Sequence, residues 1–325
     1  MNRLGSLAVR FGVHTGLQNT TTDEPVSLWH QIEGHGFDWI SIWDHFYAAD
    51  ATFGPDGTVT SGSRCLEAIA MHTALALSTE RVRCGSLVYC VGYRHPAVLA
   101  NAMASADLLS GGRVTVGLGA GWHQAEYAAY NLPFPPAPVR LRQVAEAIQC
   151  IRLLFTEDVA NFEGEFFQLR DARCDPKPAQ QRLPLWLGGG GERVTLKLVA
   201  RYADGWNVPF VVPEVYAHKV SVLREHCERA GRDPAEIECT VNLALAWRDE
   251  DLEAQFGGIA QAVRPNVLIG STQQVIDRIG EYADAGCVQV NLALRAPFDR
   301  DGLDRFATDV MPAFAASAGS QVSSG

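Results

Sequence analysis

Residues 82–118, VRCGSLVYCVGYRHPAVLANAMASADLLSGGRVTVGL, hold two short apolar runs on either side of a helical pattern. The runs at 82–89 and 114–118 are rich in aliphatic side chains with little polar alternation, which is typical of strands buried on both faces of a parallel sheet. Residues 96–109 repeat apolar side chains at helical spacing. The stretch therefore predicts one βαβ unit.

The same alternation continues along the chain, with about eight apolar runs. Eight units without an obvious break favour a closed (β/α)8 TIM barrel of the α/β class over an open doubly wound sheet. We expect one barrel domain over residues 1–316 and a small, polar, disordered tail over residues 317–325. The predicted strands are residues 9–14, 39–43, 82–89, 114–118, 185–187, 205–208, 238–245 and 288–294.

Two segments interrupt this rhythm. Residues 123–139 are rich in proline and follow the fourth strand, and residues 161–184, before the fifth strand, contain a predicted hairpin at 162–167. Loops after barrel strands build active sites, whereas the second insertion leads into a strand and has the alternative of bracing the outside. The predicted helices are residues 67–78, 96–109, 140–155, 192–202, 215–230 and 272–285.

Composition narrows the classes of function. Of 325 residues, 47% are hydrophobic and 20% charged, which is ordinary for a globular protein with one large core. A formal net charge of -10 without a basic run disfavours nucleic acid and anionic membranes as partners. We find no apolar stretch that would serve as a signal peptide or membrane span, so we expect a cytoplasmic protein. The eight cysteines are scattered singly, which predicts reduced core thiols.

The second predicted strand ends in Trp43, Asp44 and His45. At the mouth of a barrel, a carboxylate and an imidazole can handle protons beside a bound substrate. The alternative is a pair of structural polar residues that cap the barrel. Sequence reasoning leaves both interpretations open.

The third strand leads into a helix whose first residue is Pro96, a position that favours proline. Tyr89 and Cys90, at the end of the strand, are expected to line the pocket. We interpret His95 as an N-terminal capping or packing residue rather than a catalyst.

Glycines and a tryptophan follow the fourth strand. Gly117, Gly119 and Gly121 allow the backbone to approach a flat ligand, and Trp122 can stack on it. This pattern does not match the dinucleotide-binding fingerprint, which needs a different glycine spacing near the first strand.

Four glycines, residues 188–191, precede Glu192 and Arg193 at the start of a predicted helix. Backbone N–H groups at a helix N-terminus suit a phosphate, and Arg193 can add a charged contact. The alternative is a flexible glycine turn. At Gly270-Ser271-Thr272, Ser271 is expected to cap its own helix.

Together these segments resemble the luciferase-like monooxygenase superfamily, and within it the probable oxidoreductases that depend on coenzyme F-420, an 8-hydroxy-5-deazaflavin. The similarity covers nearly the whole chain. The motifs that carry it are residues 36–38 (Gly-Phe-Asp), 43–45 (Trp-Asp-His), 93–96 (Tyr-Arg-His-Pro), 108–113 (Leu-Leu-Ser-Gly-Gly-Arg), 117–122 with Glu126, 188–192, and 202–207 (Tyr-Ala-Asp-Gly-Trp-Asn).

The resemblance implies a bacterial-luciferase-like barrel with the deazaflavin ring across its carboxyl-terminal mouth and the phosphate near the glycine run. Relatives often carry a non-proline cis peptide in the third strand, and position matching places it at Leu87-Val88. The cofactor contacts that it implies are Asp44, Leu87, Val88, Gly119, Gly121, Gly188, Gly189, Gly190, Gly191, Glu192 and Arg193.

The resemblance also implies residues for the chemistry. Family members often use a histidine at the place of His45 and an acid after the fourth strand. A glucose-6-phosphate dehydrogenase-like relative has a glutamate where this chain has Trp122, which argues against that sugar phosphate as the substrate. Glu126, one helical turn later, is at best a substitute for that acid.

Our hypothesis is hydride transfer between coenzyme F-420 and a small organic substrate, in which His45 moves the proton and Asp44 orients the ring. Trp43, Tyr89 and Trp122 would form an aromatic wall of the substrate pocket. The main alternative is a monooxygenase that uses FMN, oxygen and a separate cofactor reductase. We expect a homodimer and no metal ion.

Two further alternatives belong to other classes. One is a metal-dependent barrel hydrolase that uses His14, His45, His72 or His95, although their spacing is irregular. The other is a flavin-binding protein without catalytic activity, against which the Asp44-His45 pair argues.

Overall fold

The barrel strands match the predicted runs closely. The computed structural model describes residues 9–48, 52–53, 59–61, 64–257 and 260–314. Seven of the eight barrel strands begin and end within one residue of the predicted bounds, and the third is interrupted after residue 86. The barrel strands are β1 (Arg10–Thr15), β2 (Trp39–Ile42), β3 (Arg83–Ser86), β4 (Val114–Gly119), β5 (Leu185–Gly188), β6 (Gly205–Pro209), β7 (Glu238–Ala246) and β8 (Gln289–Leu294).

Parallel pairing runs around the sheet without a break. Each strand pairs with its neighbours in chain order, β4 pairs with β5, and β8 pairs with β1, with Arg10 opposite Gln289. The eight strands therefore form a closed barrel, which confirms the predicted fold. Because all eight strands are parallel, their carboxyl ends surround one opening.

Six of the helices that the structure describes correspond to the six predicted ones, and the others were not predicted. Local signals mark the starts of two of these six. The His95 side chain accepts a hydrogen bond from the Ala97 N–H, with Pro96 in the first turn, and Ser271 forms a capping box with Gln274. The helix predicted from residue 192 begins at Thr195, because a turn precedes it. The helices are α1 (Asp23–Gly34), α2 (Ala68–Ser78), α3 (Pro96–Ser110), α4 (Gln124–Ala129), α5 (Ala137–Thr156), α6 (Thr195–Tyr202), α7 (Pro213–Ala230), α8 (Asp249–Phe256), α9 (Ala260–Val263), α10 (Thr272–Asp284) and α11 (Arg300–Asp309).

Large side chains fill the amino-terminal half of the barrel. The rings of Trp39 and Trp186 stack with centroids 4.7 Å apart, and the Arg83 guanidinium lies 5.3 Å from the Trp39 ring centre. A Cβ atom on Gly85 would lie 2.0 Å from Trp39 Cζ2, so only glycine leaves room for this stack. This filling restricts any ligand to the carboxyl-terminal half.

Both predicted insertions are present. The first contains α4, and the second forms an antiparallel hairpin of Ala160–Glu163 and Gln168–Ala172. The Glu146 carboxylate, on α5, accepts hydrogen bonds from the backbone N–H groups of residues 165–167. The hairpin therefore braces the outside of the barrel, which was one of the two alternatives.

A small element beside β7 is absent from the predictions. The strand Val267–Ile269 pairs with the carboxyl half of β7 and, together with α8 and α9, encloses a second apolar cluster. A run of three apolar residues carries too little periodicity to be assigned from sequence.

All eight cysteines are free thiols, as predicted; seven are buried and Cys65 is partly buried. Within the described ranges, none of the helices has both the length and the apolar composition needed to cross a bilayer. The predicted tail, residues 317–325, lies outside the described residues.

His72 should make stability depend on pH. It is fully buried between the Tyr89 hydroxyl (2.9 Å from Nδ1) and the Cys84 carbonyl (3.1 Å from Nε2), and burial lowers its pKa to about 4. An unfolded chain protonates this ring near pH 6.5, so folding free energy is lost as pH falls from there to about 4, by up to about 3 kcal/mol. Urea unfolding of His72→Gln should show a flatter pH profile than the parent protein.

The matched control for this measurement is His30→Gln, because His30 is an exposed histidine. The flattening in His72→Gln should be larger than any change of slope in this control. Equal slopes for His72→Gln and the parent protein would contradict the assignment.

Candidate active site

A cavity of about 450 Å³ opens at the carboxyl ends of the strands, and residues within or just after all eight strands line it. This is the position at which barrel enzymes place their active sites. The predicted residues that line it are Trp43, Asp44, His45, Leu87, Val88, Cys90, Gly119, Gly121, Trp122, Gly188 and Gly189.

Val88 forms one wall of the cavity. The peptide bond between Leu87 and Val88 is cis, as the resemblance implied. A Cβ atom on Gly119 would lie 2.4 Å from Val88 Cγ2, and one on Gly188 would lie 2.7 Å from Val88 Cγ1. The two glycines therefore make the space in which Val88 sits, and the wall between β4 and β5 stays clear for a flat ligand.

Asp44 is held by a buried ion pair. Its two oxygens accept hydrogen bonds from Arg94 Nη1 (2.6 Å) and Nη2 (2.9 Å), and Oδ2 also accepts one from the Cys90 N–H (2.9 Å). Burial disfavours the charge on Arg94, but the hydrogen bonds to Asp44 outweigh it and raise the Arg94 pKa. A carboxylate held in this way is suited to orienting a ligand rather than to moving a proton.

Glu126 is the best-connected acid at the mouth, and its side chain is completely buried. Oε1 accepts hydrogen bonds from the backbone N–H groups of Phe46 and Tyr47, at 2.9 Å each. Oε2 lies 2.9 Å from His45 Nδ1 and accepts a 2.5 Å hydrogen bond from the Tyr93 hydroxyl. Burial opposes ionisation, but these donors outweigh it and lower the pKa of Glu126 to about 2.

The Glu126 carboxylate determines the tautomer of His45. Because Glu126 is ionised, it can only accept, and the proton of a neutral His45 ring stands on Nδ1. Nε2 is then the ring nitrogen available to a molecule in the cavity, which His45 lines. Such an acid–imidazole pair, with the imidazole facing a cavity, is a common arrangement for proton transfer.

A second histidine in the cavity behaves differently. His14, on β1, lies 2.9 Å from the Ser41 hydroxyl through Nδ1. Burial, followed by the positive charge of Arg295, lowers its pKa to about 3, so the ring is neutral at physiological pH. His14 therefore contributes polarity without charge.

Two tryptophans border the opening. The Trp43 ring meets the rings of His14 and His45 edge-on, with centroids 5.7 Å and 5.8 Å apart. Trp122 is 61% exposed and stacks on His123 at 4.8 Å, so it lies at the rim. Both line the cavity, as predicted.

The prediction that Tyr89 lines the pocket is wrong. Side chains alternate along a strand, and since Val88 and Cys90 face the cavity, Tyr89 points to the helix layer. There it is fully buried, and its hydroxyl contacts His72 of α2.

The glycine run is only partly at the cavity. Gly188 and Gly189 line it, as does Thr195 at the start of α6. The predicted contacts Gly190, Gly191, Glu192 and Arg193 lie beside it. Glu192 forms an ion pair with Lys219 (2.9 Å), which also donates to the Gly190 carbonyl, and Arg193 is exposed.

One group of side chains has the composition of a metal site. The ligand atoms of His45, His123 and Glu126 all lie within 4.8 Å of one another. The Glu126 oxygens already accept four hydrogen bonds, so the group is better described as a hydrogen-bonded cluster. Among the histidines of the hydrolase alternative, His72 lies behind the sheet and His95 caps α3, so they do not form one ligand set.

Sequence reasoning missed several cavity residues. Asn207, Asn242 and Arg295 were not proposed as site residues. Glu126, which contacts the cavity residue His45, was rated only a substitute for an acid elsewhere. The two asparagines had a usable signal, because each stands within an apolar run predicted as a buried strand. Arg295 and Glu126 follow strand ends, where only the tertiary structure shows the direction of a side chain.

The Asp44–Arg94 pair generates a stability prediction. Arg94→Leu leaves the Asp44 carboxylate buried without its cation and should lower the free energy of unfolding by about 3 kcal/mol. Adding Asp44→Asn should recover part of the loss, since no unpaired charge then remains. The measurement is urea unfolding of both variants.

The control is Arg142→Leu, which breaks an exposed pair with Glu165 and should cost less than about 1 kcal/mol. A cost for Arg94→Leu no larger than that of the control would contradict a structural role for the buried pair.

Comparisons with known proteins agree with this geometry. The model of the luciferase-like monooxygenase family matches residues 1–257. An F420-dependent glucose-6-phosphate dehydrogenase from Segniliparus rotundus is 28% identical over 249 residues, which cover 74% of this chain and 70% of that protein.

Solved structures share the fold. An F420-dependent secondary alcohol dehydrogenase in complex with an F420-acetone adduct superimposes with a TM-score of 0.83, at 21% identity, over 95% of this chain and all of that chain. A type II Baeyer-Villiger monooxygenase from Pseudomonas putida, in complex with FMN, gives 0.73 at 15% identity, over 94% of this chain and 99% of that one. The closed barrel, the family motifs at its mouth and the match over most of its length show that the chain belongs to the luciferase-like monooxygenase family.

Proposed function

We propose that this protein is an oxidoreductase that transfers a hydride between coenzyme F-420 and a small organic substrate. The observation that carries the proposal is the His45–Glu126 pair, whose imidazole lines the same cavity as Val88. The F420-dependent relatives support the choice of cofactor.

The residues present fit a flat ring with a phosphate-bearing tail. The positions of Gly119 and Gly188, where a Cβ would collide with Val88, leave a wall without side chains that a planar ring can approach. Leu87, Val88, Gly119, Gly121 and Asp44 would hold the ring. The phosphate would lie at Gly188, Gly189, Gly190 and Gly191, with Glu192 and Arg193 beside it.

Each group of this chain has a separate task. When bound, the deazaflavin supplies a ring carbon that gives or receives the hydride. His45 would hold or release the accompanying proton at Nε2, and Glu126 would stabilise the His45 imidazole after it gains a proton. Asp44, fixed by Arg94, would orient the cofactor, and Trp43 and Trp122 would keep water away from the substrate.

A second candidate is an FMN-dependent monooxygenase that takes reduced flavin from a separate reductase. The FMN complex with the same fold supports it, because that barrel holds a flavin ring. Both candidates share the wall and the phosphate position, so the cofactor distinguishes them.

Assembly and location are part of the same proposal. We infer a cytoplasmic homodimer that contacts its second copy through α2 and α3. Four of the large exposed apolar side chains, Leu77, Val98, Leu108 and Leu109, lie on these two helices. An apolar surface of this kind marks an interface more often than a free face.

The first experiment is a fluorescence titration of the purified apo-protein with coenzyme F-420 and with FMN. Selective binding of coenzyme F-420 would support hydride transfer. Selective binding of FMN would favour the monooxygenase, and binding of neither would contradict both candidates.

Gly188→Ala tests the cofactor wall. The added Cβ would collide with Val88 Cγ1 and push it into the space for the ring, so the Kd of the preferred cofactor should rise at least about tenfold. Gly280→Ala, in α10, meets no atom within 4 Å and should leave the Kd unchanged. An unchanged Kd for Gly188→Ala would place the ring elsewhere.

Glu126→Gln tests the proton group. The amide oxygen of the new side chain can still accept from the two backbone N–H groups, but its NH₂ group then donates toward His45 Nδ1 and moves the ring proton to Nε2. Nitrogen-15 NMR of labelled histidine should show this change of tautomer. Turnover of the substrate found by screening should fall on the order of 100-fold.

The matched control is His123→Gln, because His123 also lies near Glu126, at 3.4 Å, but is not assigned a role in proton transfer. It should leave the His45 tautomer as it is. The same tautomer in Glu126→Gln and the parent protein would show that Glu126 does not set it.

A further inference from the structure

A chain of polar side chains lies inside the barrel, where apolar packing is the rule. Thr240, Asn242, Gln289 and Asn291 are at most 4% exposed on β7 and β8, and Asn207 on β6 is 3% exposed. Buried amides are costly unless hydrogen bonds satisfy them. Each of these side chains therefore needs an account of its donors and acceptors.

The Thr240 hydroxyl sets the direction of the chain. It donates to the Trp206 carbonyl (3.0 Å), so toward Asn207 it can only accept. Asn207 Nδ2 therefore faces Thr240 Oγ1 (2.9 Å) and gives its other proton to Asn242 Oδ1 (3.0 Å).

The deeper amides continue the same order. Asn291 Nδ2 donates to Asn242 Oδ1 (3.0 Å), and Gln289 Nε2 donates to Asn291 Oδ1 (2.8 Å). Asn242 Oδ1 thus accepts from two amides. If Oδ1 and Nδ2 of Asn242 were exchanged, Nδ2 would face two other donors. The orientation of every amide follows from the one hydroxyl.

Two atoms remain at the cavity end of this chain. Asn207 Oδ1 and Asn242 Nδ2 form no hydrogen bond with any residue that the structure describes, and both asparagines line the cavity. One atom is an acceptor and the other a donor, on side chains joined by a single hydrogen bond. The cavity therefore presents a fixed donor–acceptor pair.

This pair selects a type of ligand. A carboxylate or phosphate would place an anionic oxygen against Asn207 Oδ1, and a ketone would leave that acceptor unpaired. A neutral group that both donates and accepts satisfies both atoms. A hydroxyl does so through one oxygen, whereas the cis amide edge of a lactam or cyclic imide offers a separate partner to each atom, side by side. Unpaired buried groups give such sites their selectivity.

We infer that Asn207 and Asn242 form a substrate-recognition site for a neutral cis amide edge, C=O beside N–H. The inference rests on the proposed function for the role of the bound molecule as substrate. The cofactor ring also contains an imide, so the test must separate these two sources of the same chemistry.

The probes are 2-pyrrolidinone, its N-methyl derivative and cyclopentanone, titrated into the F-420-loaded protein and into the apo-protein by ligand-observed NMR. We expect 2-pyrrolidinone to bind roughly tenfold more tightly than the other two, because only it offers both partners. Equal binding of the three, or no binding, would overturn the inference.

Variants connect the selectivity to the amides. Asn242→Asp keeps the oxygen that accepts from its neighbours and replaces the donor, so the preference for 2-pyrrolidinone should disappear. Gln289→Met changes the same chain away from the cavity and should keep the preference. Loss of the preference in Gln289→Met alone would overturn the assignment to Asn242.

The cofactor arm compares FMN with 3-methyl-FMN on the apo-protein. Weaker binding of the methylated flavin, with no binding of 2-pyrrolidinone, would assign the pair to the ring and overturn the substrate assignment. If coenzyme F-420 fails to bind while the apo-protein still prefers 2-pyrrolidinone, the proposed function fails and the amide site stands.

Discussion

Hydrogen bonds between β8 and β1, and between β4 and β5, close the sheet, and the site depends on this closure. An open sheet would spread the eight carboxyl ends along one edge. Closure brings the ends of distant segments around a single opening, so that His45, after β2, meets Glu126, after β4, across 81 residues of chain. The large aromatic side chains at the amino ends then leave one half of the barrel for a ligand.

Two buried carboxylates lie at the mouth, and their partners serve different purposes. Asp44 is enclosed by the Arg94 guanidinium, an arrangement that holds its position. Glu126 is surrounded by neutral donors and by the imidazoles of His45 and His123, so its charge remains available to stabilise a proton on His45. A buried carboxylate therefore has a fixed position at Asp44, whereas at Glu126 it can stabilise a protonated neighbour.

The cavity divides into surfaces of different chemistry. Glycines and Val88 offer a smooth apolar wall at β4 and β5, and the neighbouring strands β6 and β7 present oriented amides, with Gly188 paired to Asn207. His45 and the tryptophans also line the cavity. This division suits two molecules in contact, one planar and one with directional hydrogen bonds, which is what a transfer reaction between a cofactor and a substrate requires.

Local patterns were enough to predict the strands and Pro96 at the start of α3, because buried strands and helix ends depend on residues adjacent in sequence. The family resemblance was enough to imply the cis bond at Leu87-Val88. Tyr89 was misplaced because the irregular strand end decides which face it points to. The role of Glu126 and the order of the amides on β6 to β8 stayed hidden, since each depends on partners far away in sequence. Such partners meet only when the barrel closes, and burial then gives each hydrogen bond its direction.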